Sequence, residues 1–99
     1  MQIPLPRAIA HKEFATAAIA KAEEMYPLFG EVWSNAILPL ICADTERRVL
    51  VEEHQPPRYV LAFREWKVAG IPHVRVTYRC PEDKAEPIVI ESVVLSPSG

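Results

Sequence analysis

Arg58, Arg64, Lys67, Arg75 and Arg79 crowd into one stretch that holds a single acid, Glu65, and an indole, Trp66. Guanidinium groups grip phosphate through two parallel hydrogen bonds, and an indole gives a nucleobase a surface to stack on. Residues 58–84 carry six cations against three acids, a surplus of three, in a chain whose net charge is −2. A local positive face on an acidic chain points to an anionic partner, or to an arginine-plus-aromatic protein contact. His11, His54 and His73 are the side chains suited to proton transfer near neutral pH. Their spacing fits neither a zinc finger nor a zincin, so no metal is expected. With only Gly30, Gly70 and Gly99, the chain has no glycine-rich phosphate loop and no Gly-x-Ser-x-Gly elbow. Nucleotide-dependent kinases, dinucleotide enzymes and serine hydrolases of that build are excluded, and no cofactor is expected.

Alternation decides which of these side chains share a face. In the segment 73–80, His73, Arg75, Thr77 and Arg79 point one way and Val74, Val76, Tyr78 and Cys80 the other. The segment 58–69 reads as a long strand, with Tyr59, Leu61 and Phe63 inward and Arg58, Ala62, Arg64 and Trp66 outward. A turn over 70–72 joins the two. The outward set Arg58, Arg64, Trp66, His73, Arg75, Thr77 and Arg79 is then one presented surface. Segments 49–53 and 88–95 supply two more strands. Glu91 and Ser92 interrupt the apolar run of the last one, and whichever faces inward needs a partner; the favoured reading pairs Glu91 with an arginine of the next strand, and the functional alternative exposes Ser92 toward the basic face. Glu52-Glu53 and Glu82-Asp83 read as solvated charge.

Upstream, residues 8–26 are rich in alanine and free of Gly and Pro, which predicts a long amphipathic helix with Phe14, Ala18, Ala22 and Met25 on its packed stripe. Residues 31–43 repeat with helical spacing but contain Pro39, so a short second helix kinked or split there is expected. The short connections favour antiparallel pairing. The expected fold is α+β: one long N-terminal helix and a short second helix packed on a four-stranded antiparallel sheet. Ninety-nine residues make one domain, 1–99, with an extended lead-in (1–7), an Asp44-Thr45 turn and a short tail (96–99). No run is long and apolar enough for a membrane span or a signal peptide, so a cytoplasmic protein without membrane contact is expected. Cys42 and Cys80 are read as reduced, partly buried thiols.

Ile37-Leu38-Pro39-Leu40-Ile41, then Arg58-Tyr59-Val60-Leu61, Val74-Arg75-Val76 and Ile90-Glu91-Ser92, resemble the small phage and toxin nucleases of the barnase, EndoU, colicin and RelE-like superfamily. In those domains helices precede a four-stranded antiparallel sheet with an arginine-led strand and a last strand carrying Ser or Thr. The resemblance spans residues 11–95 as element order and hydrophobicity. It implies metal-independent RNA cleavage, with His11, Arg58 and Ser92 as the catalytic set and His73 and Arg75 as supplements; the presented surface read from alternation, Arg64, Trp66, His73, Arg75, Thr77 and Arg79, would then hold the RNA. The net negative charge departs from the basic character usual in such toxins. Two other readings stand beside it: a non-enzymatic protein-binding module (an immunity, inhibitor or phage accessory protein) using the same Arg/Trp face, and a closed homodimer built through the sheet.

Overall fold

Strand alternation is realised in the packing. Leu61 and Phe63 of β3 (Arg58–Phe63) and Val74, Val76 and Tyr78 of β4 (His73–Arg79) are buried, as are Ile88, Ile90 and Val93 of β5 (Ile88–Ser96). The computed structural model describes residues 7–43 and 45–96. The expected lead-in and tail lie outside these residues apart from Arg7 and Ser96, and so does Asp44 of the expected turn.

The sheet has five strands in the order β1-β5-β4-β3-β2, one more than alternation predicts. The additional strand is β1, Ile9–His11, which lies in the stretch expected to be helical. It pairs parallel to β5, Ile9 opposite Ile88 and His11 opposite Ile90, while all other neighbours are antiparallel. The sheet is therefore mixed, and the long helix α1 begins only at Glu13 and ends at Met25. A three-residue strand beside a helix carries too few positions for a period to register.

α1 also packs differently from its expected stripe. Ala15 and Ala22 are buried, whereas Phe14 and Met25 are 72% and 60% exposed. Small side chains let the helix lie close to β5 and leave the two large ones at its rim. The second helical segment runs through Pro39 without breaking, as α2 (Phe29–Val32), a π-helical turn (Trp33–Ile37) and α3 (Leu38–Cys42). Proline lacks an amide and clashes with the carbonyl four residues back. The widened turn just before it, in which the Leu38 amide donates to Trp33 O, gives that carbonyl room.

Helix residues Ala15, Ala22, Phe29, Trp33, Ile37 and Ile41 share one core with the inward side chains of β3, β4 and β5. Cys42 and Cys80 are buried thiols in that core. The opposite face of the sheet is partly open, with Ala62, Arg75 and Val94 exposed on it. β2 (Val49–Glu52) forms the far edge. No described helix is long and apolar enough to cross a membrane.

β3 is shorter than expected because the chain turns early. Trp66 and Ile71 form an isolated bridge closed by Trp66 N–H to Ile71 O (2.8 Å) and Ile71 N–H to Trp66 O (3.1 Å). The turn spans Lys67–Gly70 rather than 70–72, and Gly70 takes φ +70°, a conformation open to glycine at little cost. Ile71, 1% exposed, plugs the hairpin into the core.

Candidate functional site

Two β-bulges build the most densely charged part of the open face. On β2, the pairing steps from Leu50–Tyr59 to Glu52–Arg58, so one extra residue is absorbed. Simple alternation would send Glu52 to the same side as Leu50; the bulge turns it to the side of Arg58. On β5, Thr77 faces Ser92 while Tyr78 faces Ile90, which makes Glu91 the extra residue. Both Glu91 and Ser92 thus leave the core side, where an unpaired carboxylate would cost several kcal/mol. Bulges re-aim side chains in this way, and they concentrate near functional sites.

The re-aimed carboxylates meet two arginines that pair directly across the sheet, Arg58 on β3 and Arg79 on β4. Arg58 donates through Nε to Glu91 Oε1 and through Nη1 to Glu52 Oε2, each at 2.6 Å. Arg79 donates to Glu91 Oε2 and Glu52 Oε1, both at 3.4 Å, and to Pro56 O at 2.8 Å. Lys12, just after β1, donates to Glu91 Oε2 at 2.8 Å. The result is a network of three cations and two carboxylates. Glu91 is its buried hub, with a side chain 11% exposed, and Glu52 is its accessible rim at 31%.

Burial pushes the Glu91 carboxyl up, but hydrogen bonds from Lys12 and Arg58, with the charges behind them, outweigh it and hold the group at about 2, below its ordinary 4.5. The same Glu91 bond raises the Arg58 guanidinium above its ordinary value. A carboxyl whose folded value lies below its unfolded one stabilises the fold fully above pH 4.5, and that contribution disappears as pH falls towards 2. Urea denaturation should accordingly lose about 1–2 kcal/mol from this group across that window, a figure discounted for solvent reaching the network. Glu91→Gln should flatten that part of the pH profile. An unchanged slope in the variant would show that Glu91 is not the titrating hub.

The expected catalytic set does not converge. Arg58 and Ser92 share the open face, Ser92 beside Glu91 and opposite Thr77. His11 instead ends β1 on the helix side, in register with buried Ile90 and with its ring 6.1 Å from that of Trp33. Burial lowers its basicity. The expected binding residues divide into two groups. Arg79 belongs to the network and Thr77 lies in the middle of the face. At the other end of β4, Arg64, Trp66 and His73 line one groove of about 530 Å³, with Arg75 exposed nearby on the open face. Trp66 is not a face residue of β3; it sits in the hairpin, half-buried and stacked on Phe63 at 5.6 Å.

Glu52 and Lys12 were not legible as site residues. Glu52 reads as half of a solvated acidic pair, and Lys12 falls within the stretch 8–26 expected to be one helix. The expected pairing of Glu91 with an arginine of the next strand is present, and it extends to Arg58 one strand further. Among the described residues no group of three or more His, Cys, Asp or Glu side chains is placed to hold a metal ion. No protein-family model matches the chain, and neither the curated proteins nor the solved structures yielded a match.

Proposed function

We propose that the chain is a small ribonuclease that works on the open sheet face, with Arg58, Arg79 and Glu52 as its reacting centre. The observation that carries this is the Arg58–Arg79 cross-strand pair, held side by side with a carboxylate at the solvent rim. Two adjacent guanidiniums match the oxygens of one phosphodiester, and they act best on charge that grows in the transition state. In the resting protein Glu52 occupies the Arg58 Nη1 and Arg79 Nη2 donors. An RNA phosphate takes over those donors and frees Glu52 to receive the 2′-hydroxyl proton. The 2′-oxygen then forms a bond to phosphorus, the bond to the 5′-oxygen breaks, and that oxygen leaves with a proton from solvent. The products are a 2′,3′-cyclic phosphate and a 5′-hydroxyl. Glu91 stays ionised and keeps both guanidiniums in place.

The element order supports the same reading: helices, then the meander β2–β5, an arginine opening β3 and a serine on β5. The role expected for His11 passes to Glu52, because His11 lies on the far side of the sheet. The test is purified protein incubated with total RNA and with translating ribosomes in the presence of a chelator. Cleavage leaving cyclic phosphate ends is expected. It should disappear in Arg58→Ala and Arg79→Ala proteins that still melt cooperatively, and persist in His11→Ala. No cleavage by the wild type, or cleavage that survives both arginine changes, overturns the proposal.

A further inference from the structure

The groove at the hairpin end is separate from the Arg58–Arg79 pair. Six residue steps of β4 lie between His73 and Arg79, roughly 20 Å of extended strand. Its charge is also of a different kind. The cations of the network are held by carboxylates, whereas Arg64, which lines the groove together with Lys67 and one carboxylate, Glu65, has no ion-pair partner among the described residues. Lys67 reaches Glu65 only at 4.0 Å, with both side chains well exposed. The groove therefore offers one cation, Arg64, that gives up no ion pair among the described residues to meet a phosphate, and a second, Lys67, held only loosely.

Its aromatic wall is fixed in advance. Trp66 is pinned below by Phe63, at 5.6 Å and a 30° interplanar angle, and through its backbone by the two-bond bridge to Ile71. The turn beyond is closed by Ala69 N–H to Trp66 O (3.1 Å) and Gly70 N–H to Lys67 O (3.2 Å). An indole already immobilised loses little freedom when a base stacks on it, and stacking tolerates any base because each has a π face. A preformed aromatic plate beside Arg64 and a loosely held Lys67 suits an unpaired nucleotide.

We infer that this groove is a second RNA subsite, which stacks an unpaired base on Trp66 and holds its phosphates through Arg64 and Lys67, several nucleotides from the scissile position. The inference rests on the RNA reading above and adds a minimum substrate length to it: a dinucleotide fills the reacting centre but cannot reach the groove at the hairpin end. The strand is held at two points, and the second sets affinity rather than chemistry.

The test uses fully 2′-O-methylated oligoribonucleotides, which cannot be cleaved because the attacking hydroxyl is capped. Binding of an octamer and of a dinucleotide is measured at several salt concentrations. Trp66→Ala should weaken octamer binding about 5- to 100-fold. Arg64→Ala, at an exposed position, should reduce the dependence of log affinity on log salt by about one. The dinucleotide should bind wild type and both variants alike. Trp66→Phe, which keeps a ring on Phe63, should retain most of the octamer affinity. Unchanged octamer binding in Arg64→Ala and Trp66→Phe together with Trp66→Ala overturns the subsite, as does equal loss for the dinucleotide. The expected pattern without cleavage of natural RNA by the wild type leaves the subsite standing and removes the ribonuclease; cleavage without the pattern does the reverse.

Discussion

Glu52→Gln should reduce RNA cleavage by about 10²- to 10⁴-fold while leaving the fold intact, the range expected when a general base is lost. The amide keeps an oxygen for Arg58 Nη1, which now donates to Glu52 Oε2 at 2.6 Å, so the arginine stays oriented and only the proton acceptor is removed. Glu52 is part-exposed at the rim, and its loss should move the urea midpoint little. Glu91→Gln should behave in the opposite way. It removes the hub that faces Lys12, Arg58 and Arg79, so stability falls and activity falls with it. Cleavage rates as a function of pH, measured on both variants next to their denaturation curves, separate the two roles. If Glu52→Gln cleaves within about tenfold of the wild type, the carboxylate is not the base and the proton acceptor must be sought elsewhere.

The second large effect lies far from chemistry. Arg7 is 6% exposed, and its guanidinium has no carboxylate partner among the described residues. It donates instead to Cys80 Sγ (3.2 Å) and to the carbonyl oxygens of Pro81 (3.1 Å), Asp83 (3.2 Å) and Glu86 (2.9 Å). One side chain thus satisfies the polar interior of the whole β4–β5 connection, fixing the path from Arg79 to the start of β5. Arg7→Met keeps the aliphatic stem and removes the donors. Three carbonyls lose their charged donor, at about 1–3 kcal/mol each when left unpaired and less than additively. A loss of about 3 kcal/mol is expected, a large share of the 5–15 kcal/mol typical of such domains. Chemical denaturation checks it. A change below about 1 kcal/mol would show that water replaces the guanidinium without cost. Arg64→Ala, at the exposed hairpin, should shift the same curve by no more than about 0.5 kcal/mol.

What alternation could and could not reveal follows from where alternation holds. Leu61, Phe63, Val74, Val76 and Tyr78 are buried as their period demands, and Arg58, Arg75 and Arg79 fall on the opposite face. The period fails at the two bulges, and these shape the site: the one on β2 carries Glu52 across the sheet, and the one on β5 keeps Ser92 on the open face beside Glu91. Nothing local in Val49-Leu50-Val51-Glu52 announces the extra residue. β1 and Arg7 were hidden for another reason: the strand pairing of the one and the hydrogen bonds of the other reach partners 73–79 positions away, and no window of local sequence contains both ends. Pro39 misled in the other direction, since the helix absorbs it by widening one turn.

The parallel pairing of β1 with β5 also bears on how the chain is born. Among the described residues β1 is the earliest strand in the chain, and its sheet neighbour β5 is the latest. Contacts this distant in sequence form slowly, since a long loop must close before they stabilise anything. A nascent chain can assemble the meander β2–β4 but has no place for Ile9–His11, no counter-charge for Lys12 and no cradle for Arg7. Burial of Glu91 against three cations from three different strand ends comes with the same final step. The Glu91 contacts of Arg58 and Arg79 therefore form only with β5, whereas their contacts to Glu52 and Pro56 need none of it.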